Sequence, residues 1–495
     1  MEQSRRDFIK VIGKVTAGLG LTSLVGVQSS LTSGVQTASA CLGSGAIDWG
    51  QVRSKYFNLS TDYIYMNNST MGATLVPVSD RMQEVQQIFS QGCTIDTFNS
   101  EIVMTALPQL REEMRQLVNA DLYYAYPGAA ATPGKCVGNV DSVTEGMSFV
   151  ANGLDLGSGD VIIYTDHEHA GGRTMWELKR DRYGAICGIP ATNKAGTNGT
   201  MVPLILQGDT DRTWAKNLVR RFIDTINYNN SKVGTVKVVS FPWITTSTGH
   251  LLPVKDLCDA IKGIGQDIIC VIDGAQAFTI VPMDLQTVKC DFLVVNGHKY
   301  LCGPIGSGFI VARAARLGSA STSWPTVVDD QVYKAFGNPN AHSNCHRKTG
   351  LSAYTNVLPL YDALTFYEGL GVQNVYNRLL QIGQWLRAGL AAFPQKFELI
   401  TPMSSDLSCV MTCFRVKGML SETVYETLRD QYSIQVKHST EGFTELDPSG
   451  NVNGAVRLAP HYYNTTTEFN LLQKALSEIA GLTKGWQKFW PPFPG

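Results

Sequence analysis

The chain has 495 residues, 44% of them hydrophobic, and a formal net charge of −1. That length can bury a large core and points to two domains. The balanced charge, with no basic run, gives no pull toward nucleic acid or anionic lipid, and no cysteine pairing has the spacing of a zinc site.

The N-terminus carries "SRRDFIK" (Ser4 to Lys10), then the apolar, Gly-containing stretch "VIGKVTAGLGLTSLVGV", then "TASAC", where Ala38-Ser39-Ala40 has the small side chains of a cleavage site. This is the layout of a secretory signal. Paired Arg5 and Arg6 resemble a twin-arginine export signal, an address read by machinery that carries folded proteins. Residues 1–40 are therefore expected to be a removable signal peptide, and the mature protein periplasmic or secreted. Cleavage before Cys41 also permits lipid attachment to that thiol, although Ala38 departs from the Leu usual at such sites. No later segment has the ~18 uninterrupted apolar residues of a membrane span.

An N-terminal segment, 41–65, leads into "YIYMNNSTMGATLVPV" (Tyr63 to Val78), which reads as a short strand and a polar turn. Residues 79–120 have helical spacing, with Ser79 expected as a cap. Beyond about 137, the short β-branched runs "DVIIYTD", "TVKVVSF", "DIICVID", "DFLVVNG" and "GSGFIVA" alternate with helical patterns such as "WAKNLVRRFIDTI" and "VKDLCDAIKGIG". This alternation predicts an α/β fold with a mostly parallel sheet covered on both faces, and functional groups at the carboxyl ends of its strands. A long helix is expected over 351–392. Residues 395–485 read as a smaller α+β unit, and the division is placed as a large domain at 66–385 and a C-terminal domain at 386–495. Cys409 and Cys413, in the apolar "SCVMTCF", read as core thiols, as do Cys270 and Cys290. His342, His346 and His438 have no evident partner in the sequence.

The predicted strand ends gather one set of groups. "VIIYTDHEH" ends on His169, "VIDGAQ" supplies Asp273 and Gln276, "VVNGHK" supplies His298 and Lys299, and "GAVRLAPHYYN" supplies Arg457. A lysine between two apolar strands is costly unless it is used or neutralised. A lysine amine can form a Schiff base with an aldehyde, and pyridoxal phosphate is the common cofactor that uses one. That cofactor needs an acid at its ring nitrogen, for which Asp273 is suited, and a phosphate site at a helix start, for which the turn before "EGMSFVANG" offers Thr144 and main-chain donors. Arg457 is suited to a substrate carboxylate.

With the order and spacing of "MNNSTMG", "DSVTEGMSFVANGL", "TDHEHA", "TSTGHLLPV", "VIDGAQA", "NGHKYLCGPIGSGF" and "VRLAPHYYNT", the chain resembles the class V aminotransferase superfamily, a branch of the fold type I pyridoxal phosphate enzymes. The resemblance covers about 60 to 480 and is nearest to isopenicillin-N-epimerase-like and cysteine-desulfurase-like members. It implies that Lys299 carries the cofactor and shuttles the proton, and that Asp273 pairs with the ring nitrogen. It further implies Gln276 at the phenolic oxygen, His169 on the ring face, and Val143, Thr144, Thr246 and His298 among the remaining cofactor contacts. Arg457 would take the α-carboxylate, with Asn67 or Asn68 nearby. A homodimer with sites at its interface is implied as well, and no metal.

Two departures bear on the reaction. Desulfurases need a mobile-loop cysteine, and "VKHSTEGFTELDPSGNVNGAVRL" has none, although Cys345 lies in another loop. The partner-phosphate threonine of relatives falls on Leu351, beside Ser352, and a turn that often holds His has Trp243. The expectation is an exported enzyme acting at Cα or Cβ of an amino-acid-like substrate, of epimerase or C–S lyase type. The alternatives are an aminotransferase, or a non-catalytic exported binding protein that retains the fold.

Overall fold

The computed structural model describes residues 47–92, 105–124, 131–132, 134, 136–193, 195–204, 211–313, 354–482 and 485–493. The export segment, Cys41, His342, Cys345, His346, Leu351 and Ser352 lie outside the described residues.

The large sheet has seven strands. They are β4 (Val137–Val140), β5 (Asp160–Thr165), β6 (Met201–Val202), β7 (Thr235–Pro242), β8 (Ile269–Asp273), β9 (Phe292–Asn296) and β10 (Gly308–Ala312), in the order β4-β10-β9-β8-β7-β5-β6. Pairings from β6 through β9 are parallel; β10 runs antiparallel to both β9 and β4. Every residue of β8, β9 and β10 is buried. Their β-branched and aromatic runs therefore meet helices on both faces, as continuous apolar strands require. Strands β4, β5, β7, β8 and β9 all end on the same edge of the sheet, and the chain leaves each of them toward one cavity.

Two helices matter for that edge. Helix α4 (Val143–Gly153) starts at Ser142, whose hydroxyl accepts from the Glu145 N–H, and α5 (Ala170–Tyr183) starts at His169. The segment before them holds α1 (Trp49–Tyr56), α2 (Val76–Ser90), α3 (Leu107–Leu117), the two-residue strand β1 (Ile64–Tyr65) and a small β2–β3 pair (Tyr123–Tyr124, Ala131–Thr132). Ser79 is not a cap. Helix α2 begins at Val76 with Pro77 in its first turn, and the Ser79 N–H already donates to the Leu75 carbonyl at 2.9 Å.

The expected long helix is two: α8 (Val357–Leu370) and α9 (Val372–Ala391). (Helices α6, Asp211–Lys232, and α7, Val254–Ile264, flank β7.) Gly371, at φ +84°, separates α8 from α9 in a conformation that a side chain disfavours. The division placed at 385/386 falls inside α9.

The C-terminal sheet is antiparallel: β11 (Phe397–Leu399), β12 (Thr412–Val416), β15 (Ala455–Leu458) and β14 (Lys437–Ser439), in that order. Helix α10 (Ser421–Tyr432) packs on it, and α11 (Thr466–Ile479) packs against α10. The expected single strand "IQVKHS" divides. β13 (Ile434–Gln435) pairs in parallel with β1, while β14 pairs with β15. The N-terminal segment is thus stitched to the C-terminal unit, and the paired ions Arg53 and Glu468 (2.9 Å) tie α1 to α11. Cys136, Cys187, Cys258, Cys270, Cys290, Cys302, Cys409 and Cys413 are buried free thiols.

Candidate active site

A cavity of about 280 Å³ opens at the carboxyl edge of the large sheet. Val143, Thr144, His169, Thr246, Asp273, Gln276, His298, Lys299 and Arg457 all line it. Thus every cofactor-site residue singled out in the sequence, and Arg457, reaches the same space.

Lys299 follows β9 by a three-residue turn and is half-buried. The turn is held from below: the Gly72 N–H donates to the His298 carbonyl at 2.8 Å, and a Cβ on Gly72 would overlap the Lys299 carbonyl. Loss of water around the amine lowers the Lys299 pKa to about 8; Asp273 opposes this and Arg457 adds to it. His298 donates through Nδ1 to the Ser307 carbonyl at 3.3 Å, and burial keeps its ring below the usual histidine range.

Asp273 ends β8 and is 5% exposed. Its Oδ1 accepts from the Ala275 N–H at 2.8 Å, which fixes the carboxyl plane. Burial raises its pKa, against the pull of that bond, Lys299 and His169. His169 accepts through Nδ1 from the Gly171 N–H at 3.0 Å, and burial and Lys299 hold its ring neutral toward lower pH. Gln276 donates to the Ser69 carbonyl at 3.0 Å, and its Oε1 is buried without a partner among the described residues.

At the start of α4 the Val143 N–H is already taken, donating to Asn296 Oδ1 at 2.8 Å. This bond anchors the helix start to the end of β9, and Ser142 and Thr144 border the cavity on either side of it. A helix start directed at such a space favours an anion.

Arg457 lies in the middle of β15 and is 2% exposed. It donates to the Thr246 carbonyl (2.9 Å), Thr70 Oγ1 (2.9 Å) and Asn67 Oδ1 (3.3 Å). All three acceptors are neutral, and no carboxylate pairs with it among the described residues. Thr246 therefore meets Arg457 through its main chain. Asn67 orients Arg457 rather than lining the cavity, and Asn68 turns away, accepting from the Tyr463 hydroxyl at 3.0 Å and donating to the Ala459 carbonyl at 3.4 Å. The lining residues of that turn are instead Ser69 and Thr70, one step along. Trp243 is buried, and its N–H donates to the Asp273 carbonyl at 2.8 Å, so it supports Asp273 through the backbone.

Asn296, Lys437 and Glu441 also border the cavity. Asn296 stands two residues before His298 in a stretch already singled out, and its position at a strand end was its signal. Lys437 sits directly opposite Arg457 in the β14–β15 register. No sequence pattern announces that pairing. The cavity is lined by no cysteine among the described residues.

A model of the aminotransferase class-V family matches residues 213–472. An isopenicillin N epimerase of Amycolatopsis lactamdurans is 26% identical over 353 residues, covering 68% of this chain and 79% of the epimerase. A probable cysteine desulfurase of Synechocystis sp. is 23% identical over 341 residues, covering 68% of this chain and 74% of the desulfurase. Among solved structures, a cystine C–S lyase in complex with its product, cysteine persulfide, shares the fold with a TM-score of 0.65 at 21% identity, over 84% of this chain and 98% of the lyase.

Proposed function

The chain belongs to the aminotransferase class-V family, and from that premise we propose a pyridoxal-phosphate-dependent enzyme that acts at Cα or Cβ of an amino-acid-like substrate, by epimerisation or C–S elimination. The observation that carries this reading is a single cavity bordered by a lysine of lowered pKa, a buried acid and a buried guanidinium with no carboxylate partner among the described residues.

The residues present fit the cofactor. Asp273 would face its ring nitrogen, and Gln276, with a buried unpartnered Oε1, would border its polar edge. The start of α4, with Thr144, and His298 would hold its phosphate, and His169 its ring. When bound, the cofactor supplies an electron sink for the charge left at Cα.

The chain's own groups do the rest. Arg457 holds the substrate carboxylate in a fork already steadied by Thr246, Thr70 and Asn67. Lys299 Nζ takes and returns the Cα proton, and a pKa of about 8 keeps a useful fraction of the amine neutral near pH 7 to 8. Asp273 would face the protonated ring nitrogen and balance its positive charge. The lack of a cysteine along 437–453 and among the described cavity residues favours elimination or epimerisation over a persulfide-forming desulfurase.

The reading includes export and a homodimer. Arg5-Arg6 and Ala38-Ser39-Ala40 support the first. The resemblance to a family whose sites lie at a homodimer interface is what supports the second. Cell fractionation of an Arg5→Lys, Arg6→Lys variant and the sedimentation mass test them separately.

The decisive experiment is the visible spectrum of the purified protein, followed by a panel of amino acids and cysteine S-conjugates with product analysis. Pyruvate marks elimination, inverted stereochemistry marks epimerisation, and a keto acid marks transamination. No cofactor absorbance, or an unchanged one in Lys299→Ala, would overturn the reading.

A further inference from the structure

Glu168 lies in the turn between β5 and α5 and is 2% exposed. Its Oε1 accepts twice from the end of its own strand, from the Thr165 hydroxyl at 2.8 Å and the Thr165 N–H at 3.2 Å. Its Oε2 is buried and has no partner among the described residues. An orphaned carboxyl oxygen in such a place needs a reason.

The reason lies across Gly172, in the first turn of α5. The point where a Cβ on Gly172 would sit is 3.0 Å from Asp273 Oδ2 and 3.3 Å from Glu168 Oε2. Asp273 Oδ1 is already occupied by the Ala275 N–H. The two oxygens left over, one on each acid, therefore converge on the space that the glycine leaves open.

Two buried carboxyls so placed do not both ionise. The groups around them decide which keeps its proton. Asp273 has Lys299 and His169 beside it, and both draw its pKa down. Glu168 feels the charges of two acids, Asp273 and Asp166; burial with Asp273's charge pushes its pKa well above the carboxylate range, while its two bonds from Thr165 pull the other way.

We propose that Glu168 is a positioning residue for Asp273: a neutral carboxylic acid whose Oε2 proton is directed at Asp273 Oδ2 and holds that carboxylate in place, charged, at the floor of the cavity. The inference rests on the reading of Asp273 as the partner of the cofactor's ring nitrogen. It adds a device that sets both the orientation of Asp273 and its basicity. A donor to Oδ2 keeps the aspartate from capturing the proton that the ring nitrogen must hold.

Three variants test it. Glu168→Gln keeps an acceptor for Thr165 and offers an N–H in place of the acid proton. Glu168→Met removes both. Thr165→Val weakens the cap on Glu168 but leaves its proton. The first measurement is made on cofactor-free protein: the infrared difference between wild type and Glu168→Gln at pH 7 is expected to show the carbonyl band of a protonated acid. A carboxylate band overturns the proposal. The second is the pH titration of the bound cofactor's visible absorbance, with kcat. Glu168→Gln is expected to stay near wild type, and Glu168→Met to shift the titration midpoint and lose about 10- to 100-fold in kcat, the worth of a hydrogen bond to a charged group. Thr165→Val is expected to leave the midpoint unmoved. Equal shifts in Thr165→Val and Glu168→Met, or none in the latter, reduce Glu168 to a structural cap and overturn the proposal. Where Glu168→Met does not fold, the infrared result decides. A protein that never acquires cofactor absorbance defeats the functional reading, yet the infrared result still decides the state of Glu168.

Discussion

At the inner wall of the cavity, Asp273, His169 and Lys299 stand at or just beyond the carboxyl ends of buried parallel strands; at its rim, Arg457, Lys437 and Glu441 come from a four-stranded antiparallel sheet and the loop beyond it. The wall groups are pinned by main-chain bonds: Ala275 to Asp273, Gly171 to His169, Gly72 to the turn of Lys299. The rim grades outward, from Arg457 at 2% exposure to the exposed Lys437. A wall fixed by strand geometry suits a cofactor that never changes. A rim whose charges sit on a small sheet and a loop suits the part of the site that distinguishes substrates.

The hardest break of that division is at the wall. Lys299→Ala is expected to lose ~10³-fold or more in turnover, since it removes both the amine that carries the cofactor and the base. The loss should come with a changed cofactor spectrum, read on the same sample. If turnover survives with the spectrum altered, the wall does not hold the base.

Arg457 tests the border between the two regions. Arg457→Met is expected to raise KM for any α-carboxylate substrate about 100-fold, in line with removing one partner of a buried hydrogen-bonded charge pair. The cofactor spectrum should stay as it was. A spectral change instead would place Arg457 with the wall.

The wall also predicts a pH dependence. Burial lowers the Lys299 pKa from 10.5 to about 8, so in cofactor-free protein the amine is cationic below pH 8 and neutral above it. The rate at which the protein captures pyridoxal phosphate should climb from pH 6 to about 8 and level off above, measured by stopped-flow absorbance. The sign follows for stability too. Between pH 8 and 10.5 the unfolded lysine binds more protons than the folded one, so this group's contribution to folding improves as pH rises through that window. A capture rate that kept climbing to pH 10 would show an ordinary lysine.

The contrast also explains what could be read from the sequence. Strand-end logic needs only runs of β-branched residues and the polar group that ends each, so "VIDGAQ" and "VVNGHK" were enough to bring Asp273 and Lys299 together. Helix boundaries were less legible. Ser79 looks like a cap, but Pro77 fits the first turn better and the helix begins before it; Gly371 breaks an otherwise continuous apolar pattern at a positive φ. Glu168 carries no signal of its own in "TDHEHA", because its approach to Asp273 shows only where Gly172 of α5 leaves room for both carboxyls. The turn at 67–70 hides its cavity-facing residues for a similar reason. Asn67 and Asn68 are the conspicuous polar residues, yet one braces Arg457 and the other Tyr463, leaving Ser69 and Thr70 to face the cavity.

Lys437 is the sharpest case. It lies twenty positions before Arg457, and only the register of β14 against β15 puts the two cations directly opposite each other. Like charges so placed repel and are unfavourable in a sheet. Glu441, on the loop after β14, offsets part of this by its charge on Arg457, but it makes no ion pair with either cation among the described residues. An anionic substrate end would relieve the repulsion, and a second charge on the substrate would be felt by Lys437 and Glu441 in opposite senses. Lys437→Met and Glu441→Gln are therefore expected to change KM only a few-fold, the scale of partly exposed charge pairs, with kcat and the cofactor spectrum untouched. The two changes should have opposite signs for substrates whose side chains end in a carboxylate. Lys437→Met weakens binding of such a substrate, while Glu441→Gln strengthens it. Both effects should shrink in high salt. Equal shifts for charged and uncharged side chains would mean that the rim only shapes the opening, and that discrimination lies elsewhere.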